Sequence, residues 1–269
     1  MESGQLDLGA GAALHWWASG FARPVLLVHP SGTDHRLWDP VLPELPADRD
    51  TVRYDLRGHG CSPPGRGAFR HAEDLLRLLD GLGLDRVDLV GASYGGQVAV
   101  EAAVAAPDRV RGLALLGPSM PGHAWSDEVT VRALALEAAL AAGDVDGAVR
   151  WWMDTWVRGP HRDWADLDPA VRGRLEAPLR RSFGWARQAT GATELGADPD
   201  WAERLAAVRR PALVAVGDRD VADCRRIAGV LGELLAVRPL ALPGLGHLVA
   251  AEDPAATGAL LTGFLEALS

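Results

Sequence analysis

The chain has 269 residues, 48% of them hydrophobic and 23% charged, with a formal net charge of −9. This is the balance of a soluble globular protein, long enough to bury a full core as one large domain or a domain carrying an insertion. The acidic excess, with no basic cluster against it, excludes a nucleic-acid surface, and no apolar run is long enough to span a bilayer. Met1-Glu2-Ser3-Gly4-Gln5 lacks the basic and apolar regions of a signal peptide, so a cytoplasmic location is expected. There is no lysine, which excludes Schiff-base chemistry, and no asparagine. Cys61 and Cys224 are expected to be free thiols. Histidine and cysteine spacing shows no metal-ligand pattern, the nearest pair being His29 and His35, and neither a metal nor a cofactor is expected.

Leu14 to Ala18 and Pro24 to Val28 read as strands, the second a continuous apolar run of the kind buried on both faces. It ends in His29-Pro30-Ser31-Gly32-Thr33-Asp34, where open α/β sheets place their ligands and where Ser31 and Gly32 can present backbone N–H groups. Trp38 is expected to pack as a lid over this loop. Thr51 to Leu56 is the next strand, followed by a tight Gly/Pro-rich connection in which His59 reads as structural and Cys61 as an inert residue without an activator. His71 to Leu82 has the period of an amphipathic helix.

Val87-Asp88-Leu89-Val90-Gly91-Ala92-Ser93-Tyr94-Gly95-Gly96 organises the chain. A buried strand runs directly into a helix, Gln97 to Ala106, ended by Pro107. The glycines flanking Ser93 remove side chains that would clash at so sharp a corner. Ser93 is then exposed beside helix N–H groups that lack intrahelical partners, which suits a nucleophile whose product oxyanion is met by backbone N–H.

Val110 to Leu116 is a strand ending in Gly117-Pro118-Ser119. From Met120 to Ala206 the character changes: seven of the ten tryptophans fall here, and helices are predicted over Glu128–Ala142 and Asp146–Trp156. This span, 120–206, is expected to form a helical cap on a core made of 1–119 and 207–269. Trp152 and Trp156, four residues apart, share a helix face and are candidate pocket residues, with Trp151 pointing elsewhere. Pro211 to Val216 is a strand ending in Gly217-Asp218-Arg219-Asp220, and Arg238 to Leu242 is the last, ending in Pro243-Gly244-Leu245-Gly246-His247. A helix over Pro254–Leu268 closes the chain. The alternation predicts a mostly parallel, doubly wound α/β sheet.

Ser93, Asp220 and His247 lie beyond the carboxyl ends of three strands. A serine hydroxyl needs a neutral imidazole to take its proton, and the resulting imidazolium needs a carboxylate to orient and stabilise it. Asp218 and Asp223 compete for the carboxylate role. Asp220 sits further into its loop and can turn back toward His247, whereas Asp218 adjoins the strand and caps the loop.

These residues resemble the α/β-hydrolase superfamily: the elbow Gly91-Ala92-Ser93-Tyr94-Gly95, the loop Tyr54-Asp55-Leu56-Arg57-Gly58-His59-Gly60-Cys61-Ser62, Gly217-Asp218-Arg219-Asp220, and Gly246-His247. Within it, Ser31-Gly32-Thr33-Asp34 with Trp38-Asp39 resembles the 3-oxoadipate enol-lactonase branch, although His29-Pro30 stands where that branch carries a different polar pair. By that resemblance the oxyanion donors are the N–H groups of Ser31 and Tyr94. It implies a cofactor-free serine hydrolase for a small apolar or aromatic ester or lactone. The alternatives are a thioesterase, cyclase or C–C bond hydrolase with the same triad, or a binding module on the same fold. Serine at the elbow argues against haloalkane dehalogenases and epoxide hydrolases, which need aspartate there.

Overall fold

The structure is a computed structural model that describes residues 1–188 and 191–268. Eight strands form one sheet: β1 (Glu2–Gly9), β2 (Ala12–Ala18), β3 (Pro24–Val28), β4 (Asp50–Tyr54), β6 (Val87–Ala92), β7 (Val110–Leu116), β9 (Ala212–Gly217) and β10 (Leu240–Leu242), in the spatial order β1-β2-β4-β3-β6-β7-β9-β10. The first two join by antiparallel pairing and the other six run parallel, which is the expected mostly parallel α/β sheet. The edge strand β1 is absent from the sequence reading. Its apolar signal is weak: Gly4, Leu6 and Leu8 are half-buried between exposed residues, and only the two leucines carry apolar side chains. Two short strands, β5 (Gly67–Phe69) and β8 (Ala192–Glu194), pair separately.

Successive strand side chains point to opposite faces, and the core divides accordingly. Leu26 and Val28 of β3, Leu89 of β6, Leu113 and Leu115 of β7, and Val214 of β9 share one core with α1 (His71–Gly81), α2 (Tyr94–Ala105) and α7 (Ala222–Leu234). Val25, Leu27, Val90, Ala114, Leu116 and Ala215 share the other with the closing helix (Pro254–Glu266). Trp38 is fully buried in this second core with Val25, Leu27 and Val41. It is a core side chain and not a surface lid, carried into the interior with Leu37 by a short 3₁₀ turn over His35–Trp38.

Between β7 and β9 the chain is largely helical: α3 (Asp127–Ala141), α4 (Val145–Met153), α5 (Pro169–Gln188) and α6 (Trp201–Ala207). Trp152, Leu175 and Leu179 of α4 and α5 join the second core, whereas Leu205 of α6 joins the first. The helix predicted over Asp146–Trp156 is α-helical only to Met153. Asp154–Arg158 is a π-helical turn, whose wider winding sets Trp152 and Trp156 on different neighbours. Among the described residues no helix is long and apolar enough to cross a membrane.

Candidate active site

Each site residue stands at the carboxyl end of a parallel strand. Ser93 follows β6 and adopts φ 53°, ψ −120°, a strained conformation for a residue with a side chain. The corner is held by backbone hydrogen bonds: Ser93 N–H donates to Leu116 O (2.9 Å), while Ser93 O accepts from Gly96 N–H (2.8 Å) and Ser119 N–H (3.0 Å). A Cβ on Gly95 would fall onto the carbonyl oxygens of Val28 and His29, so only glycine lets the end of β3 reach the elbow. The helix begins at Tyr94, three residues before its sequence-predicted start, because Gly95 and Gly96 lower the intrinsic helical signal that the tertiary contacts override. Tyr94 N–H thus belongs to a first turn without intrahelical acceptors.

His247, beyond β10, places Nε2 2.7 Å from Ser93 Oγ and Nδ1 3.0 Å from Asp220 Oδ2. A carboxylate only accepts, so Nδ1–H donates to Asp220 and bare Nε2 accepts from the Ser93 hydroxyl. Asp220 is buried at 1% exposure, Oδ1 also accepting from Val221 N–H at 2.7 Å. The two competing carboxylates do other work. Asp218 Oδ1 accepts from Gly244 N–H, capping the loop. Asp223 holds Ser126 and His123, hydrogen bonds that outweigh burial and bring its carboxyl to about 2.

Ser31 is exposed in the turn Pro30–Thr33, closed by Thr33 N–H to Pro30 O at 3.3 Å. Gly32 takes φ 79°, and a Cβ there would lie 2.8 Å from Leu179 Cδ2 and 3.0 Å from Trp152 Nε1. Trp152, 6% exposed, therefore packs against this turn. Trp156 is half-buried, its ring centroid 4.6 Å from that of His247 and 5.7 Å from that of Trp125. Trp151 points away, 41% exposed.

Three supporting groups escaped sequence reasoning. His29 is fully buried, with Nε2 accepting from Leu56 N–H (2.9 Å) and Nδ1 donating to Pro30 O (2.7 Å). It clamps the Ser31 turn to the end of β4, and burial lowers its pKa, which keeps the acceptor nitrogen bare. Arg162 bonds Val157 O (2.7 Å) and Arg158 O (3.1 Å) and pairs with Glu252, which in turn accepts from Gly246 N–H. The Trp156 turn is thereby tied to the His247 loop across 90 residues of sequence. Cys224 of α7 places Sγ 3.5 Å from His247 Nδ1. Only spatial neighbourhood reveals these roles, and no local motif marks them. At Cys61 the expected lack of a cation is corrected: Arg181 Nη1 of α5 lies 3.3 Å from its sulfur, brought from 120 residues away.

A sharp strand–turn–helix serine, a histidine on it and a buried carboxylate behind that histidine, on a mostly parallel sheet, define a hydrolytic enzyme class. The chain matches the alpha/beta hydrolase fold family over residues 23–254 and belongs to it. It is similar to 2-hydroxy-6-oxo-2,4-heptadienoate hydrolase of Pseudomonas putida, 38% identical over 123 residues, 43% of this chain and 45% of that one. That match therefore spans less than half the relative's length. It is also 24% identical to a 3-oxoadipate enol-lactonase of Acinetobacter baylyi over 88% of this chain and 86% of the relative. Among solved structures it resembles a hydrolase from Pseudomonas aeruginosa, with TM-score 0.76 and 28% identity over 98% of each chain. The protein is an α/β-fold hydrolase.

Proposed function

We propose that this hydrolase is a serine enzyme that cleaves a small apolar or aromatic carboxylic ester or lactone through an acyl-enzyme. The observation that carries the reading is the continuous hydrogen-bonded chain from Ser93 Oγ through His247 to buried Asp220. Ser93 Oγ attacks the carbonyl carbon as its proton passes to His247 Nε2. Asp220 stabilises the imidazolium without taking its proton. The N–H groups of Tyr94 and Ser31 meet the tetrahedral oxyanion. His247 then protonates the leaving alkoxide, and water, deprotonated by the same imidazole, releases the acid. Nucleophile, base and orienting acid all come from the chain, so the cycle calls for no cofactor. In this reading the span 120–206 is a cap, with Trp156 forming an apolar wall beside the base and Trp152 backing the Ser31 turn.

Reaction with a fluorophosphonate, followed by intact mass, tests it. One adduct is expected on the wild type and none on Ser93→Ala; equal labelling of both removes Ser93 from the nucleophile role. The Pseudomonas putida relative favours a second reading, in which the same residues act on a 2-hydroxy-6-oxo-dienoate. Turnover of that compound with no turnover of aryl esters would select it.

A further inference from the structure

The first turn of α7 carries Cys224 to the side of Asp220 and His247, completing a donor set that the chemistry above does not use. Sγ, Nδ1 and a carboxylate oxygen of these three lie within 4.8 Å of one another, and all three residues are buried. Sγ–Nδ1 is 3.5 Å, and Nδ1 is 3.0 and 3.2 Å from the two Asp220 oxygens. A tetrahedral ion with bonds of about 2.3 Å to sulfur and about 2.1 Å to nitrogen and oxygen has S–N and N–O edges of about 3.6 and about 3.4 Å. The observed spacings fit those edges with shifts of a few tenths of an ångström. Gly117 also faces the pair. A Cβ there would lie 3.5 Å from Asp220 Oδ2 and 3.6 Å from His247 Nδ1, so no side chain competes on that side.

We propose that Cys224, His247 Nδ1 and Asp220 form an inhibitory site for a soft divalent ion such as Zn²⁺ or Cd²⁺. Binding replaces the Sγ–H proton, which leaves to solvent, with an S–metal bond. The Nδ1 proton moves to Nε2 as Nδ1 takes the ion, so the imidazole stays neutral and one proton is released per ion. An Nε2–H imidazole cannot accept the Ser93 proton, and hydrolysis stops. Because one proton leaves for each ion bound, the ion binds more tightly as pH rises. The inhibition rests on the function proposed above; the binding does not.

Cd²⁺ titration of the whole protein tests both, read by thiolate-to-cadmium charge-transfer absorption and by aryl-ester hydrolysis, with EDTA reversal. One ion per chain is expected, with a band and lost activity in the wild type and in Cys61→Ser. Cys224→Ala and Cys224→Ser, each measured against its own metal-free rate, should lose the band. Their sensitivity should fall by more than about 100-fold, beyond the 10–100-fold typical of removing an outer-shell partner. A wild type without the band, or a band and inhibition that persist in both Cys224 variants, overturns the site. Loss of both signals in Cys61→Ser instead moves the thiol to Cys61 and likewise overturns it. A band in a protein that turns over no ester leaves the site standing and removes the ester reading.

Discussion

Acidification from about pH 7.5 to about pH 5 should destabilise the fold through imidazoles buried neutral behind the elbow. His29, His59 and His71 form a file with successive ring centroids 5.3 and 6.4 Å apart, and His71 packs on Phe69 and Tyr94. Burial, then the neighbouring His29, brings His59 down to about 4. Burial also lowers His29, and burial with His59 drives His71 well below 6.5. The unfolded chain titrates each near 6.5. Between the folded and unfolded values the unfolded state binds more protons, so unfolding free energy decreases as the pH is lowered. The contribution is whole above about pH 6.5 and is lost downward toward pH 4. For His59 alone the ratio of binding polynomials at pH 5 is about 30, or about 2 kcal/mol. The residue is half-buried, so this is an upper value. Glu101 and Glu194, raised by burial first, take up protons in the folded state and offset part of the loss. Asp55 and Asp223, lowered on balance by their hydrogen bonds, titrate below this window. Urea unfolding followed by tryptophan fluorescence across this range, on wild type and His59→Gln, measures the effect. The wild type should lose up to about 2 kcal/mol more than the variant. Equal losses in both would refute the assignment of the acid sensitivity to His59.

On the proposed mechanism Asp220→Asn should lower kcat by about 10⁴-fold, while Asp218→Asn, which touches the Gly244 cap and the Arg219 ion pair, should cost far less. A larger loss at Asp218 in steady-state kinetics would exchange their roles. Gly95→Ala forces a methyl onto the Val28 and His29 carbonyls and should destabilise by about 1–3 kcal/mol or more, with activity falling alongside the melting temperature. An alanine variant with wild-type melting would show that β3 does not press on the elbow. Trp156→Ala removes the half-buried ring on His247 and should impair bulky aromatic esters more than an acetate ester. Trp152→Ala empties a buried site, should cost about 3–5 kcal/mol, and should affect both substrates alike. Matched kcat/KM ratios and melting curves for the two variants separate these roles.

The sequence determined the strand–elbow–helix run, the parallel sheet and the order Ser93, Asp220, His247. Each is written in local signals: a continuous apolar run, glycines at a corner, a strand end followed by a polar loop. It did not show the strand Glu2–Gly9, whose half-buried face offers only Gly4, Leu6 and Leu8 and which is held by pairing with β2. It did not show that Trp38 is a core side chain, because the burial of one indole depends on a 3₁₀ turn and on the core it shares with Val25 and Val41. It named Trp152 and Trp156 together, but a π-helical turn parted them, one to Gly32 and one to His247. Which carboxylate meets His247 depends on tertiary structure: Asp218 and Asp220 are two residues apart, and the packed position of the His247 loop sets Asp220 against Nδ1 and Asp218 against Gly244 N–H. His29, Arg162, Glu252 and Cys224 acquire their roles in the same way, since hydrogen bonds and metal-like donor sets act over about 3 Å of space, whatever the separation along the chain.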